Sequence, residues 1–332
     1  MSARLQTVGV IGVGAMGAPM ALRLIDCGYR VIVRDIDPSR VAPLVAVGAI
    51  AADSPAAIAR AADFILTVVV DSEQTDDILF GDKGIVTGLS TNATDDSRST
   101  AVGTDDNTAA TRRRVVVAMC STVAPRYTRA LPVRLSAHPV ALVDTPVSGG
   151  PARARNGTLS MMIGADDATL AAIGPVLDAV ASRQFRVGKQ CGDGSAMKIV
   201  NNMLAGINLA AAGEALALAE AMGMDLDAVR AVVEASSGGS WIFADRVPRL
   251  IARDYTPPRA ASKILMKDVS LALDEATAAG VNAAIARAAH QVFAGTVARG
   301  FGEADDAAVI EHYRARDAVI PKSDRRGKQC FD

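Results

Sequence analysis

A glycine-rich turn near the start of the chain constrains its fold more than any other feature. The apolar, β-branched run 7–11 leads into Gly12, Gly14 and Gly17, which have the spacing GxGxxG, and a helical pattern follows over 15–27. In this fingerprint the first glycine permits a tight turn, the second lets the backbone approach a pyrophosphate, and the third packs the helix against the strand. The turn therefore predicts the first strand, loop and helix of a Rossmann unit that binds a dinucleotide.

Two further features of this region bear on the cofactor. Ala15 and Met16 lie inside the turn, where the free N–H groups of a helix start face an anion, so they join the three glycines as predicted cofactor contacts. Asp35 follows the second apolar run at the position where a carboxylate accepts hydrogen bonds from the adenosine ribose and repels a 2′-phosphate. NAD is therefore favoured over NADP, although the neighbouring Arg34 offers a guanidinium that a phosphate would attract.

Further along the chain, apolar runs at 64–70 and 115–119 alternate with helical patterns, which indicates a parallel, doubly wound sheet. The polar segment 90–114 interrupts this alternation. It contains too few bulky apolar residues to offset the entropy of ordering, and we expect it to be a mobile surface insertion.

The second half of the chain has a different pattern. Residues 195–222 are rich in alanine and lack proline, which predicts a helix of about 42 Å that joins two domains. Helical patterns follow, and no strand-like alternation returns; they cover 225–234, 260–279 and 282–299. The predicted fold class is α/β: a Rossmann doubly wound parallel sheet, then an all-α C-terminal domain, joined by a long interdomain helix. The predicted domains are residues 1–192, which bind the dinucleotide, and 193–332, for substrate binding and dimerisation.

Composition removes several classes of function. The net charge of −1 and the 4% of aromatic residues leave neither a basic surface nor stacking platforms for nucleic acid. The four cysteines and three histidines have no metal-binding spacing, so no metal site is expected. There is no run of 18 apolar residues and no room before Thr7 for a signal peptide, which predicts a cytoplasmic protein without a membrane span. Alanine and glycine on the long helix allow close helix packing, and a homo-oligomer, dimer or tetramer, is expected.

Two segments carry residues suited to oxidising an alcohol, namely 144–150 (DTPVSGG) and 192–202 (GDGSAMKIVNN). This reaction needs a base within reach of the hydroxyl proton, and Lys198 can serve if a desolvated pocket lowers its pKa. Asn202 lies one helical turn later on the same face, where it can hold the lysine or the substrate hydroxyl. Ser148 and the backbone N–H groups of Gly149 and Gly150 are predicted to bind a substrate carboxylate.

With these motifs the chain resembles the β-hydroxyacid dehydrogenase (3-hydroxyisobutyrate dehydrogenase) family. The resemblance covers nearly the whole chain outside the polar insertion and rests on GVIGVGAMG, CST at 120–122, DTPVSGG, GDGSAMKIVNN and the pair at 267–268. It implies that Lys198 transfers the proton and that Asn202 and the 148–150 segment contact substrate. It also implies that Thr122 and Lys267 lie against the cofactor.

Three more positions follow from the same resemblance. Val70 and Asp71 stand where the family often has Leu-Pro lining the cofactor cleft, and this departure weakens the expected contact. Thr75, four residues after Asp71, is a further candidate for the cofactor site. Asn201 replaces the histidine of 6-phosphogluconate dehydrogenases, and Lys198 is absent from imine reductases and from non-catalytic members, so these relatives are disfavoured.

The C-terminal half bears on the substrate. The segments 239–243, 254–257 and 305–309 resemble the branch that oxidises four-carbon sugar acids such as L-threonate, and Trp241 is a candidate substrate contact. The expected activity is oxidation of a small hydroxy acid with NAD. Two alternatives keep the enzyme class, namely a 3-hydroxyisobutyrate dehydrogenase and a tartronate semialdehyde reductase. A third is a non-catalytic NAD(P)-binding scaffold or sensor.

Overall fold

The computed structural model describes residues 6–90 and 114–314, so the predicted insertion at 90–114 lies almost wholly outside the described residues. The described residues divide into two compact units. The first contains the described part of Met1–Leu204 together with Lys267–Ala286. The second contains Ala205–Met266 together with the described part of Arg287–Asp332.

The first unit is built on a sheet. Its strands are β1 (Thr7–Ile11), β2 (Arg30–Arg34), β3 (Ile50–Ala51), β4 (Phe64–Thr67), β5 (Val115–Met119), β6 (Val140–Asp144), β7 (Val147–Ser148), β8 (Ser160–Gly164) and β9 (Arg183–Gly188). Six strands run parallel in the order β3-β2-β1-β4-β5-β6, which is the doubly wound Rossmann order. The prediction of a parallel, doubly wound sheet is confirmed. An edge of β8, β7 and β9 extends it, with β8 antiparallel to β6.

Helices cover the sheet on both faces. They are α1 (Gly17–Asp26), α2 (Pro38–Val45), α3 (Pro55–Ala61), α4 (Ser72–Phe80), α5 (Ile85–Ser90), α6 (Pro125–Arg134), α7 (Gly150–Asn156) and α8 (Asp167–Val180). Alternate strand residues enter two separate hydrophobic clusters: Val116 and Ala118 of β5 belong to one, and Val115 and Val117 to the other. This period of two is what a sheet buried on both faces requires.

A single long helix, α9 (Asp193–Ala221), begins in the first unit and continues past Leu204 into the second. It has 29 residues, close to the predicted span of 195–222. By length and mean hydropathy alone it is also a helix that can cross a membrane, and 44% of its most apolar window is buried inside the protein. Core helices of soluble proteins meet the same two criteria, so this is weak evidence for a membrane span.

The second unit, and the segment 267–286 that belongs to the first, are helical in the part of the chain that the structure describes. After α9 come α10 (Leu226–Glu234), α11 (Trp241–Ala252), α12 (Ser262–Ala278), α13 (Ala284–Thr296), a π-helical turn (Val297–Phe301), a 3-10 turn (Asp306–Ile310) and α14 (Glu311–Arg314). The predicted all-α second half is confirmed over these residues. Inside the unit, buried Arg246 donates to Asp306 (2.5 Å) and buried Arg249 to Asp305 (2.7 Å), close to an apolar core around Leu216, Val247 and Leu250.

Candidate active site

The three glycines of the first turn have different surroundings. A Cβ at Gly12, whose φ is +87°, would lie 2.3 Å from the backbone oxygen of Val68, and one at Gly17 would lie 1.9 Å from that of Gly12. A Cβ at Gly14 would have only Arg40 Nη1 nearby, at 3.4 Å. Gly12 and Gly17 are therefore required by packing, whereas Gly14 borders open space that a ligand can enter. This cradle fits a dinucleotide pyrophosphate.

The start of α1 is equally open to an anion. Met16, its N-cap residue, makes no side-chain cap hydrogen bond, and the first turn contains no acidic residue. Ala15 is exposed and Met16 is half-buried. The first N–H groups of the helix and its positive dipole end are thus available to phosphate oxygens.

Asp35 lies beside this turn. Its carboxylate accepts hydrogen bonds from the N–H groups of Val13 (2.8 Å) and Asp37 (2.9 Å), which fixes it at the carboxyl end of β2. Arg34, the cation that the sequence analysis considered, donates instead to the backbone oxygen of Asp53. The cation near Asp35 is Arg40, whose Nη1 lies 4.0 Å from Asp35 Oδ1. The sequence alone did not indicate Arg40, which lies five residues after Asp35.

The segment after β4 mostly serves its own helix. Asp71 caps α4 by accepting a hydrogen bond from Gln74 N (2.9 Å), and Val70 N donates to Gln74 Oε1. Thr75 is fully buried, and its hydroxyl donates to Asp71 O (2.7 Å). Of these three predicted cofactor contacts, Val70 has the exposed side chain. Contact of Val70, Asp71 or Thr75 with a cofactor remains a prediction.

Thr122 and Lys267 meet at the carboxyl end of β5. Lys267 Nζ donates to Thr122 O at 2.7 Å, although the two residues are 145 positions apart. Nearby, Ser121 Oγ accepts a hydrogen bond from Val69 N and ties the ends of β4 and β5 together. Ligands of open α/β sheets bind at the carboxyl ends of the strands, so Lys267 stands on the edge where a dinucleotide is expected.

Lys198 lies in the second turn of α9 and is buried, with 8% of its surface exposed. Its ammonium has a pKa lowered to about 8, chiefly by burial; Asp268 opposes this shift, and the neighbouring Lys267 adds to it. A lysine with this pKa carries a usable fraction of neutral amine near neutral pH. It can therefore accept or donate a proton in a reaction.

Asn202 and Asp268 form the other side of this cluster. Asn202 Nδ2 donates to Asp268 Oδ2 at 2.6 Å, and Asn201 Nδ2 donates to Asn202 Oδ1 at 3.0 Å. The other carboxylate oxygen, Asp268 Oδ1, forms an ion pair with Lys267 Nζ at 2.8 Å but without hydrogen-bond geometry. The structure thus links Asn202 to Lys267 through one buried carboxylate, beside the amine of Lys198. From the sequence, Asp268 is interpreted as a helix cap or a partner for a cation rather than a chemical group, and it does pair with Lys267.

The 148–150 segment presents a backbone suited to an anion. Ser148 ends the short strand β7, where it pairs with Ser160, and Gly149 and Gly150 both adopt positive φ (+132° and +74°). A Cβ at Gly150 would meet no atom within 4 Å, so the backbone there is open to a ligand. Such successive N–H groups can receive a carboxylate.

Asp144, the last residue of β6, is a feature that the sequence analysis missed. Its buried carboxylate accepts hydrogen bonds from Gly192 N (2.8 Å), Ser195 N (2.7 Å) and Ser195 Oγ (2.8 Å). Burial raises its pKa to about 6, and the hydrogen bonds from Ser195 and Gly192 oppose that rise. The only available signal was the aspartate at the head of DTPVSGG, since its partners lie about 50 residues later.

The remaining candidate groups are Trp241, the buried cysteines and possible metal ligands. Trp241 belongs to the second unit, where it begins α11 with 53% of its surface exposed, and its contact with substrate remains a prediction. Burial raises the pKa of the Cys120 and Cys191 thiols to about 12, so neither is a nucleophile at neutral pH. Among the described residues no three metal-binding side chains come together.

Two family models match the chain. One, described as the NAD binding domain of 6-phosphogluconate dehydrogenase, covers residues 7–188. The other, described as NAD-binding of NADP-dependent 3-hydroxyisobutyrate dehydrogenase, covers residues 192–313.

Individual relatives match over most of their length. The chain is 36% identical over 306 residues to an L-threonate dehydrogenase of Cupriavidus necator, which covers 92% of the chain and 95% of that relative. It is 30% identical over 292 residues to a 3-hydroxyisobutyrate dehydrogenase of Pseudomonas aeruginosa, covering 86% and 90%. A crystal structure of a 3-hydroxyisobutyrate dehydrogenase from Salmonella typhimurium superposes with a TM-score of 0.80 at 32% identity, covering 92% of this chain and 99% of that one.

Proposed function

Because the chain belongs to the β-hydroxyacid dehydrogenase family, we propose that it oxidises a four-carbon sugar acid of the L-threonate type with NAD, using Lys198 as the proton-transfer group. Its membership makes it a nicotinamide-dependent oxidoreductase acting on CH–OH groups. The observation that carries the finer proposal is the buried Lys198 amine, with a pKa of about 8, beside the Asn202–Asp268–Lys267 cluster.

The proposed mechanism assigns one task to each group. NAD, when bound, supplies the acceptor for the hydride that leaves the substrate carbon. The substrate carboxylate accepts hydrogen bonds from the Ser148 hydroxyl and from the N–H groups of Gly149 and Gly150. Neutral Lys198 takes the hydroxyl proton at Nζ, and Asn202 orients the hydroxyl or the amine. In the reverse direction the Lys198 ammonium returns the proton.

The protonation state of Lys198 suits both directions. With a pKa of about 8, roughly one amine in ten is neutral at pH 7, and the rest are ammonium. An unperturbed lysine, with a pKa of 10.5, would have about one amine in three thousand neutral at that pH. Lowering the pKa therefore raises the concentration of the competent base roughly three-hundredfold while leaving an acid for reduction.

The substrate assignment is supported by the relatives. The L-threonate dehydrogenase of Cupriavidus necator is 36% identical, whereas the 3-hydroxyisobutyrate dehydrogenase of Pseudomonas aeruginosa is 30% identical. A polyhydroxylated acid also needs several polar partners, which Ser148, Asn202 and Lys267 offer. The alternatives remain 3-hydroxyisobutyrate and, in the reductive direction, tartronate semialdehyde.

NAD is the proposed cofactor on the basis of Asp35. A buried carboxylate fixed by two backbone N–H groups is placed to accept hydrogen bonds from ribose hydroxyls and to repel a 2′-phosphate. Arg40 is the nearest opposing cation, but its guanidinium is shared with Asp37 and is half-exposed.

We also propose that the protein acts in the cytoplasm as a homodimer or homotetramer. Several large apolar side chains on α9 are exposed in the single chain, among them Met197, Val200, Leu204 and Leu218. Exposed apolar surface of this kind is typical of oligomer interfaces. Size-exclusion chromatography with light scattering measures the mass directly, and a monomer over a range of concentrations would contradict the proposal.

The test of substrate and cofactor is a panel of acids assayed by NADH or NADPH formation. L-threonate, 3-hydroxyisobutyrate, L-serine and glycerate would each be offered with NAD and with NADP. We expect kcat/KM to be highest for L-threonate with NAD, by about tenfold or more, which equals 1.4 kcal/mol of transition-state binding. A higher value for 3-hydroxyisobutyrate would support the alternative dehydrogenase. Cofactor binding without turnover of any acid would support the scaffold or sensor.

The test of the lysine is Lys198→Ala. Loss of the base is expected to lower kcat about 10²- to 10⁴-fold, while NADH binding measured by fluorescence changes little. Lys83→Ala, which removes an exposed lysine, is the matched control and is expected to keep full activity. Near-normal turnover by Lys198→Ala with cofactor bound would remove Lys198 from the mechanism.

A further inference from the structure

The start of the helix that carries Lys198 is held by a carboxylate from a distant strand. Asp144 Oδ2 accepts hydrogen bonds from Gly192 N and Ser195 N, and Asp144 Oδ1 accepts one from Ser195 Oγ, at 2.7–2.8 Å. The first N–H groups of a helix lack partners within the helix, and an N-cap side chain usually supplies them locally. Here the acceptor comes from the end of β6, about 50 residues earlier in the chain.

The same carboxylate stands next to the proposed substrate anchor. Asp144 ends β6, and the chain reaches Ser148 four residues later and Gly149 and Gly150 directly after it. On the helix side, Ser195 precedes Lys198 by three residues, which is slightly less than one turn. Asp144 therefore contacts the first turn of α9, directly before the turn that carries the amine. It also belongs to the segment that would hold the substrate carboxylate.

Close packing leaves this arrangement little freedom. A Cβ at Gly194 would lie 2.4 Å from Met162 O and 2.8 Å from Asp144 O, so the first turn of α9 lies directly against the backbone of β6 and β8. Ser195 Oγ is also 3.0 Å from Thr128 Oγ1 of α6. Asp144, Ser195 and Thr128 are all buried.

Resting on the proposed function, we infer that Asp144 is a positioning residue that sets the place of the Lys198 amine relative to the Ser148–Gly150 anchor. Its carboxylate neither touches substrate nor transfers a proton. Proton and hydride transfer depend steeply on the distance between reacting atoms, and a displacement of about 1 Å can lower the rate on the order of a hundredfold. A shift of the first turn of α9 would move Lys198 while leaving the cofactor turn at 12–17 in place.

The variants Asp144→Asn, Asp144→Ala and Ser195→Ala separate this role from simple helix capping. Asparagine keeps the shape, accepts the two backbone N–H groups through its oxygen and can donate to Ser195 Oγ, so it should rescue part of the function. Alanine removes all three hydrogen bonds. Asp166→Asn is the matched control, because Asp166 caps α8 by accepting a hydrogen bond from Thr169 N in the same unit.

We expect kcat with the best acid to fall about tenfold in Asp144→Asn and Ser195→Ala and about a hundredfold in Asp144→Ala. NADH affinity should change less than about threefold, and the primary deuterium isotope effect on kcat should increase, because proton and hydride transfer become slower than product release. Asp166→Asn should lose thermal stability as Asp144→Asn does but keep the wild-type kcat and isotope effect.

Wild-type kcat and isotope effect in folded Asp144→Asn and Ser195→Ala would overturn the inference, even if both proteins melt at lower temperature. If Asp144→Ala does not fold, the two milder variants still decide. The Lys198→Ala variant tests the proposed function separately. Retained turnover in Lys198→Ala would remove Lys198 as the base. A large loss of turnover in Lys198→Ala, together with normal Asp144 variants, would remove only the positioning role of Asp144.

Discussion

Burying a lysine destabilises a folded protein, but at Lys198 the same burial gives an amine whose pKa suits catalysis. Burial makes the ammonium unfavourable, Lys267 adds to that effect, and Asp268 partly offsets it. Groups with strongly shifted pKa values concentrate at functional sites, because catalysis requires a pKa near the working pH. The same shift predicts a pH profile and a stability change.

For the pH profile, kcat/KM for alcohol oxidation is expected to rise about tenfold per pH unit at low pH and to level off above about 8, because the neutral form of Lys198 is the base. Asp268 raises the pKa of Lys198, so Asp268→Asn should move the rising limb to lower pH. Steady-state rates of the wild type and of Asp268→Asn between pH 5 and 10 measure the rising limb of each protein. An unchanged limb in Asp268→Asn would show that the two charges do not interact.

For stability, Lys198→Met is expected to raise the free energy of unfolding at pH 7 by about 1–3 kcal/mol while abolishing activity. The pKa falls from 10.5 in the unfolded chain to about 8 in the folded one. The unfolded chain therefore binds more protons between these values, and wild-type stability increases as pH rises from about 8 to 10.5. Urea unfolding at pH 7 and 10 measures the difference in free energy of unfolding between Lys198→Met and the wild type, and this difference should be smaller at pH 10. Lys83→Met, at an exposed position, should leave the free energy unchanged within about 0.5 kcal/mol.

How much of the site could be predicted at the residue scale depends on how local each signal is. Lys198 and Asn202 share a helix face four residues apart, and Ser148–Gly150 is continuous, so spacing and motif were enough to propose them as site residues. The partners of Asp144 and Asp268 are 48–66 positions away. No local pattern reports such contacts, and their functions became visible only with the fold.

At the scale of elements, periodicity predicted the existence of the main strands and helices better than their ends. The strand predicted at 64–70 ends at Thr67, because Asp71 caps the next helix and Val70 hydrogen-bonds into its first turn. The β7–β8–β9 edge was not predicted. β7 has two residues, and all six residues of β9 are partly or fully exposed, so neither has a recognisable apolar run.

The β1–α1 turn allows a prediction that separates folding from binding. Gly17→Ala would place a methyl group 1.9 Å from Gly12 O, and this overpacking should cost about 1–3 kcal/mol of stability. Gly14→Ala meets only the flexible end of Arg40, so it should fold normally and weaken NADH binding by about tenfold or more. Thermal unfolding and fluorescence titration of the two variants provide the comparison. Equal NADH affinity in wild type and Gly14→Ala would place the pyrophosphate elsewhere.

At the scale of the whole molecule, the interior of the second unit is not purely apolar, because it contains a buried network of two arginines and two aspartates. Asp305 accepts hydrogen bonds from Arg249 Nη1, Arg259 N and Ala307 N. Burial raises the pKa of its neighbour Asp306 to about 7, and the charge of Arg246 opposes that rise. The sequence showed these aspartates only as part of a resemblance, because their arginine partners come from α11.

Breaking this network should destabilise the protein strongly. Asp305→Asn removes the buried carboxylate from Arg249 and leaves only the exposed Asp254 beside its guanidinium, and the expected cost is about 3–5 kcal/mol. Glu303→Gln is the control, because it removes the exposed ion pair with Lys263 and should cost less than about 1 kcal/mol. Urea unfolding at pH 7 measures both variants. Similar costs would mean that the buried pair contributes no more than a surface one.

The path of the chain has a consequence for how such proteins can evolve. The polypeptide passes between its two compact units at 204/205, 266/267 and 286/287, and these points lie inside α9, α12 and α13 respectively. A gene fusion that exchanged one unit between homologues would have to splice three helices in mid-course, each in the correct 3.6-residue register. A single crossover leaves mismatched helices instead. The two units are therefore expected to be inherited together, with new substrates arising through point substitutions rather than the shuffling of modules.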